Sequence, residues 1–248
     1  RRIIVNKYNR SLIGSVICIP IVNINGFIQF TREVPDGKDI NRSFPGSKTG
    51  SLASQVAYFL TTEILPQIDI GLDFHTGGSR INNYPQIRAV LNNEENFKLA
   101  KVFAPPLIID SKFREQSLRK EANKLGKSIL VYEGGESLRL RKNAVVNGVN
   151  GALRVMKHLG MCAEAPLPDR ETVVINKTTW VRAAAAGLYH SFVRPGEFIK
   201  NKQKIGLITG PYGEFEKAIK STVNGHVIAI NNKPVVNKGD ALMHIGMI

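Results

Sequence analysis

The sequence predicts an α/β protein, a mixed and mostly parallel sheet flanked by helices, followed by a smaller all-β part. Three observations carry this. Short β-branched runs alternate with helical patterns as far as Leu159, which is how strands and crossover helices build a sheet covered by helices. Ala163-Glu164-Ala165-Pro166-Leu167-Pro168 then has the composition of a linker. Beyond it come short strand-like runs separated by turn residues, with no helical period.

The elements follow in order. Gly14 to Pro20 (Gly-Ser-Val-Ile-Cys-Ile-Pro) is a β-branched run ending in proline, expected to be a buried strand with Cys18 as a small core residue. An Asn- and Gly-bearing loop (Asn23, Asn25, Gly26) follows, and residues 31–50 form a long loop of the kind that usually carries function. Ser51 is an N-cap for a helix through Ala53, Val56, Phe59, Leu60 and Ile64, ended by Pro66. Ile68 to Phe74 is a second buried strand, terminating at His75. Helices are expected over Glu94 to Phe103 and Lys112 to Leu125. A third buried strand, Ser128 to Tyr132, ends at Glu133. Val145 to Leu159 is a further helix with Gly160 at its C-terminal cap. After the linker, strands are expected at Glu171–Ile175, Thr179–Ala183, Gly187–Phe192, Lys204–Thr209, Gly225–Ile230 and Ala241–Ile245. Two domains result, 1–163 and 169–248.

Bulk composition narrows the classes. The 248 residues, 43% hydrophobic and 22% charged, suit an ordinary globular protein with a sizeable core. No apolar run reaches the roughly 18 residues of a membrane helix; the longest, Leu12 to Ile24, is broken by Pro20 and Asn23. Arg1-Arg2 leads into only a brief apolar patch, without the pattern of a signal peptide. The net charge of +14 raises the question of a polyanion partner. The cations are scattered, however, the densest cluster being Arg139-Leu140-Arg141-Lys142, and no aromatic-interleaved motif accompanies them. Nucleic acid and membrane are therefore not expected as partners. Two distant cysteines, Cys18 and Cys162, argue against a disulfide framework and for the cytoplasm. A homo-oligomer is compatible with all of this.

The chemistry concentrates in two places. Thr31-Arg32 and Lys38-Asp39-Ile40-Asn41-Arg42-Ser43-Phe44-Pro45-Gly46 put two arginines and an asparagine in the long loop. A guanidinium offers a planar fork for a carboxylate, so this loop can grip an acidic ligand. His75 and Glu133 both stand at predicted strand ends, each close to a Gly-Gly pair (Gly77-Gly78, Gly134-Gly135). In open sheets, ligands collect at the carboxyl ends of strands. Glu136 is a reserve carboxylate. The remaining histidines, His158, His190, His226 and His244, fall in a helix or in the β part and read as structural or surface residues.

These segments resemble the succinylglutamate desuccinylase and aspartoacylase family, relatives of the zinc carboxypeptidases. The matching pieces are Ile19-Pro20 with Asn23 and Gly26, Thr31-Arg32, Asp39 to Gly46, Asp73-Phe74-His75-Thr76-Gly77-Gly78, and Tyr132-Glu133-Gly134-Gly135. In the β part they are Trp180-Val181-Arg182, Gly187-Leu188, Pro195-Gly196, Gly225 and Gly239-Asp240. Of these, Asp-x-Asn-Arg-x-Phe-Pro-Gly is the specific one. The resemblance implies a zinc-carboxypeptidase-like sheet and a Zn(2+) cofactor with His75 as a ligand. It implies Glu133 as the general base toward metal-activated water, Arg32 stabilising the oxyanion or gripping the acyl group, and Asn41 with Arg42 binding the substrate carboxylate. The family's other two ligands come from a His-x-x-Glu stretch, and this chain has no histidine before His75; both are expected upstream of the chain.

The β part also resembles lipoyl-type folds. The hairpin tip at Asn224-Gly225-His226 displays no lysine, so a scaffold that flanks or caps the site is expected rather than a carrier. The expected function is hydrolysis of the amide of a small anionic N-acyl amino acid. A carboxypeptidase acting on peptides and a non-catalytic anion-binding protein are the alternatives.

Overall fold

The computed structural model of the protein describes residues 12–248; the Arg1-Arg2 start and the patch behind it lie outside them. Helices α1 (Ile24–Gln29), α2 (Leu52–Phe59), α3 (Glu94–Phe103), α4 (Leu118–Lys124) and α5 (Lys142–His158) alternate with strands β1 (Ile70–Gly77), β2 (Ile81–Ala89), β3 (Leu107–Asp110) and β4 (Ser128–Glu136). The rest is β: β5 (Val173–Ile175), β6 (Lys177–Arg182), β7 (Gly187–Ser191), β8 (Phe198–Ile199), β9 (Lys204–Thr209), β10 (Glu216–Lys220), β11 (Gly225–Asn231), β12 (Val235–Val236) and β13 (Ala241–Met247).

The large sheet runs β1-β4-β2-β11-β13-β6, with β3 and β5 continuing from β2 and β8 pairing β11. It is mixed. β1–β4, β2–β3 and β3–β5 are parallel, while β2 is antiparallel to both β4 and β11, and the strands beyond β11 are antiparallel. The β2–β11 pairing joins strands from both sides of residues 163–168 into one sheet. A second sheet, β10-β9-β7-β12, packs over the C-terminal strands around Ile199, Ile205, Ile208, Val227 and Ile245.

Helices lie on both faces of the sheet: α3 and α5 cover the face of β4 that carries Leu130 and Tyr132, and α4 packs Ala122 against Ile129 on the other. Phe74, Tyr132 and Ile87 stand opposite one another on β1, β4 and β2, and the Phe103 ring of α3 packs 5.5 Å from Tyr132. The Tyr132 hydroxyl donates to the Ala144 carbonyl of α5 at 2.7 Å. Helix α5 fits this closely because Gly151 meets the Phe103 ring; a Cβ there would lie 2.1 Å from it. On the opposite face, Ile129 is buried against Leu65 and Ala122, and the polar groups gather beyond it at Asp73, His75 and Glu133.

Several expected elements change. Residues 15–19 form no strand, and Val16, Ile17, Cys18 and Ile19 are exposed. A β-branched run becomes a strand only with a ladder partner, and none pairs with it among the described residues. Helix α4 starts at Leu118 rather than Lys112, with Ser117 as its N-cap, so residues 112–116 are a loop. Strand β2 has no strand signal in the sequence, since Pro85 and the polar Asn82, Asn83 and Gln86 hide its period.

The long loop is anchored rather than free. Val34, Ile40 and Phe44 are buried against Ala53, Ala57 and Leu60. Asp36 Oδ2 accepts from the Leu52 amide at 3.0 Å, and Ser51 caps α2 as expected. Gly46 makes the close turn possible: its φ is +86°, and a Cβ would lie 2.2 Å from the Ser54 carbonyl and the Tyr58 amide. No helix of the described residues is long and apolar enough to cross a membrane.

Candidate active site

Register places the key side chains. His75 on β1 lies opposite Glu133 on β4, and Asp73 opposite Val131. Gln86 on β2 also lies opposite Glu133, and Asn83 opposite Gly135. Directly paired residues carry their side chains on one face. Asn83 and Gln86 are three apart, a spacing that would ordinarily split them between faces; the register shift between them absorbs one residue and keeps both with Glu133. Both predicted strand ends lie inside longer strands, since β1 continues to Gly77 and β4 to Glu136.

A cavity of about 310 Å³ opens on this face, lined by Arg32, Asn41, Arg42, Asp73, His75 and Glu133 together with Arg88, Arg114 and Arg119. All five residues singled out in the sequence therefore meet in one place. Arg32 Nε pairs with Asp39 Oδ2 at 2.9 Å, and Asp39 Oδ1 accepts from the Asn41 amide at 2.8 Å. One carboxylate thus fixes both the arginine and the turn that carries Asn41 and Arg42. The Asn23 side chain adds a second hold, donating to the Arg32 carbonyl at 2.9 Å. Asn41 Oδ1 accepts from the Leu118 amide at 2.9 Å. With its oxygen engaged, the Asn41 amide offers N–H donors, the polarity an anion needs. The Arg42 guanidinium donates to the Asn41 carbonyl and is otherwise exposed at the mouth.

His75 Nε2 lies 2.8 Å from Asp73 Oδ2. Burial works against the imidazolium, but the Asp73 hydrogen bond, the Asp73 charge and Glu133 outweigh burial and Arg32, so the pKa lies above the ordinary 6.5. Glu133 accepts from Asn83 Nδ2 through Oε2 at 2.8 Å, and Arg88 Nε stands 4.0 Å from Oε1. Gln86 is fully buried and neither of its amide atoms has a partner among the described residues.

The sequence missed Asn83, Arg88, Arg114 and Arg119. The first two sit on unforeseen β2. Arg119 is buried in α4 and donates to the carbonyls of Arg88, Ser111 and Lys112 at 3.1, 2.9 and 2.8 Å, pinning the loop that carries Arg114. Burial, then the Arg88 and Arg114 charges, push its pKa down to about 10, leaving it cationic at neutral pH. An arginine set between apolar Leu118 and Ala122 was the available signal. The reserve carboxylate Glu136 is buried among ion pairs, its Oε1 at 2.9 Å from both Arg139 and Arg141, with the Asn232 side chain on Oε2. It braces β4 to the C-terminal part and does not line the cavity. His158, His190, His226 and His244 lie in α5, β7, β11 and β13, away from the cavity lining.

Catalytic zinc needs three protein donors. The described residues bring no group of three or more His, Cys, Asp or Glu together in a form that could hold a metal, and His75 is turned to Asp73. On their own they do not make a zinc site.

Fold and cavity together define an α/β protein with a cationic cleft beside a paired imidazole and carboxylate. Residues 1–159 match the succinylglutamate desuccinylase/aspartoacylase catalytic domain, and the chain belongs to that family. It is 27% identical over 207 residues to an N-alpha-acetyl-L-2,4-diaminobutyric acid deacetylase of Halomonas elongata, covering 79% of this chain and 60% of that relative. The chain thus spans about 60% of the length of the curated relative it matches. Among solved structures, it is similar to a succinylglutamate desuccinylase/aspartoacylase from Rhodobacter sphaeroides (TM-score 0.85, 25% identity, 95% of this chain and 76% of that one). It also shares the fold of the product-bound ectoine utilization protein EutE (DoeB) from Ruegeria pomeroyi (TM-score 0.86, 21% identity, 96% and 76%).

Proposed function

We propose that the protein is a deacylase that hydrolyses the amide bond of a small N-acyl amino acid with a free carboxylate. The observation that carries this is the register pairing of His75 with Glu133 in a cavity shared with Arg32, Asn41 and Arg42. Family membership and the deacetylase relative support the same reading. Glu133 takes a proton from the attacking water and returns it to the leaving nitrogen. Arg32, held through Nε, turns its remaining N–H groups toward the oxyanion. Asn41 and Arg42 hold the carboxylate, fixing the amide over Glu133. A cavity of about 310 Å³ is at the small end of ligand sites, which favours one amino acid over a peptide.

Zinc is the cofactor we propose for the whole protein, with His75 as one ligand and the others from outside residues 12–248. Metal analysis of the full-length protein and its His75→Ala variant checks this: stoichiometric zinc that falls in the variant supports it, and zinc-free wild type after reconstitution removes it. We place the protein in the cytoplasm, in keeping with two cysteines that form no disulfide.

The test of function is a panel of N-acetyl, N-succinyl and related amino acids, their methyl esters, and short peptides, each given to the full-length protein. Hydrolysis of the free acids in preference to the esters is expected. Cleavage of peptides alone would move the assignment to a carboxypeptidase.

A further inference from the structure

The two sheets of the C-terminal part face each other across a shared core, and at one side both end in a free edge. Strands β6 and β10 are the outermost of their sheets, each with a single ladder partner among the described residues. A groove of about 320 Å³ lies between them, walled by residues 179–182 of β6 and 217–220 of β10. Consecutive residues of a strand line a groove when the strand's edge, not one of its faces, forms the wall. Half of the backbone N–H and C=O groups of an edge strand point outward without a ladder partner.

The chemistry of the groove is one-sided. The core residues Ile208 and Ile219 reach its lining, so the sandwich is open to apolar contact here. Arg182, Lys217 and Lys220 stand exposed around it, and no carboxylate lines it. None of the three is in an ion pair among the described residues. Trp180, the single tryptophan of the chain, also lines the groove and stacks on His244 at 4.3 Å between ring centroids.

We propose that this groove binds an extended acidic segment of a partner protein, which adds as a β-strand between β6 and β10. The two edges supply backbone hydrogen bonds, and alternation in the added strand supplies the rest. Every second side chain, apolar, faces Ile208 and Ile219; the others, acidic, meet Arg182 and Lys220, while Lys217, paired with Ile208, adds its charge at the exposed end of the apolar side. Lysines on an edge strand commonly keep other chains away. They repel cationic strands and attract acidic ones, and edge protection by itself does not call for an apolar floor. The net charge of +14 adds long-range attraction for an acidic partner.

Trp180 makes the groove directly observable. The full-length protein is titrated with a capped eight-residue peptide of alternating glutamate and valine while Trp180 emission is followed. A saturable change is expected. It should weaken by at least about tenfold in K217E/K220E, and by less in K217Q/K220Q, with the melting temperature of both variants unchanged. A lysine–valine peptide and a glutamate–valine peptide interrupted by proline should leave emission unchanged. No change with the glutamate–valine peptide, or equal binding by K217E/K220E, overturns the proposal. So does equal binding of polyglutamate lacking valine, which would mean general anion attraction. Emission that follows protein concentration alone would assign the groove to a second copy of the chain and overturn it as well.

Discussion

His75 and Glu133 stand opposite each other on parallel neighbours β1 and β4, so an imidazole and a carboxylate 58 positions apart in the chain share one face of one sheet. The aromatic layer of Phe74, Tyr132 and Phe103 backs that pair, because successive residues of the two strands point to opposite faces. The site is thus set by the sheet, while the loop of residues 31–50 brings the arginines to it.

Asn83 is expected to position Glu133. Its amide holds Oε2 at 2.8 Å from a nearly buried position, leaving Oε1 for the reaction. Hydrogen bonds to charged groups are worth about 1.5–3 kcal/mol. Asn83→Leu should cut kcat by about 10–100-fold with KM little changed. Steady-state kinetics of the full-length protein checks this, with circular dichroism to confirm the fold; unchanged kcat would deny Asn83 that role.

Arg42 is expected to act on binding. Arg42→Ala should raise KM by about tenfold or more for free-acid substrates and leave methyl esters almost unaffected. Arg42→Lys should recover only part of the loss, because an ammonium lacks the planar fork. Equal effects on acid and ester would place the carboxylate elsewhere in the cavity.

Gly46 is expected to be irreplaceable. Its positive φ and the 2.2 Å approach to α2 leave no room for a methyl group. Gly46→Ala should cost about 2–4 kcal/mol and displace the Asn41–Arg42 turn, lowering the midpoint of chemical denaturation. A variant as stable as the wild type would mean the loop is not anchored as described.

His244 is expected to make the fold acid-sensitive. Burial, then the Arg88 charge, push its pKa from the ordinary 6.5 down to about 3. The unfolded chain takes up a proton as pH falls through 6.5, and the folded chain does not until near 3. The stabilisation is therefore complete above about 6.5 and is lost as pH falls toward 3, at about 1.4 kcal/mol per pH unit inside that window. Between pH 7 and pH 5 the wild type should lose about 2 kcal/mol more than His244→Phe, which keeps a ring against Trp180. Denaturant melts at the two pH values measure the difference; identical losses would show that His244 does not remain neutral.

The site was legible in the sequence where its signals were local. Asp39 to Gly46 and Asp73 to Gly78 carry their residue types in contiguous stretches, and Arg32, Asn41, Arg42, His75 and Glu133 line one cavity. Asn83 and Arg88 were invisible because their strand reads as polar and proline-broken; only its place between β4 and β11 makes it a strand. The run at residues 14–20 failed the opposite way, its β-branched pattern strong but unpaired among the described residues. Arg119 was hidden by non-local chemistry, since its three carbonyl acceptors lie 7 to 31 residues away.

Replacing Glu133 tests the central claim most directly. Single-turnover hydrolysis of the best N-acyl amino acid by full-length Glu133→Gln should fall by at least about 10²–10⁴-fold, with substrate affinity and metal content retained. Turnover at the wild-type rate would contradict the account, because the carboxylate opposite His75 would then have no part in the chemistry.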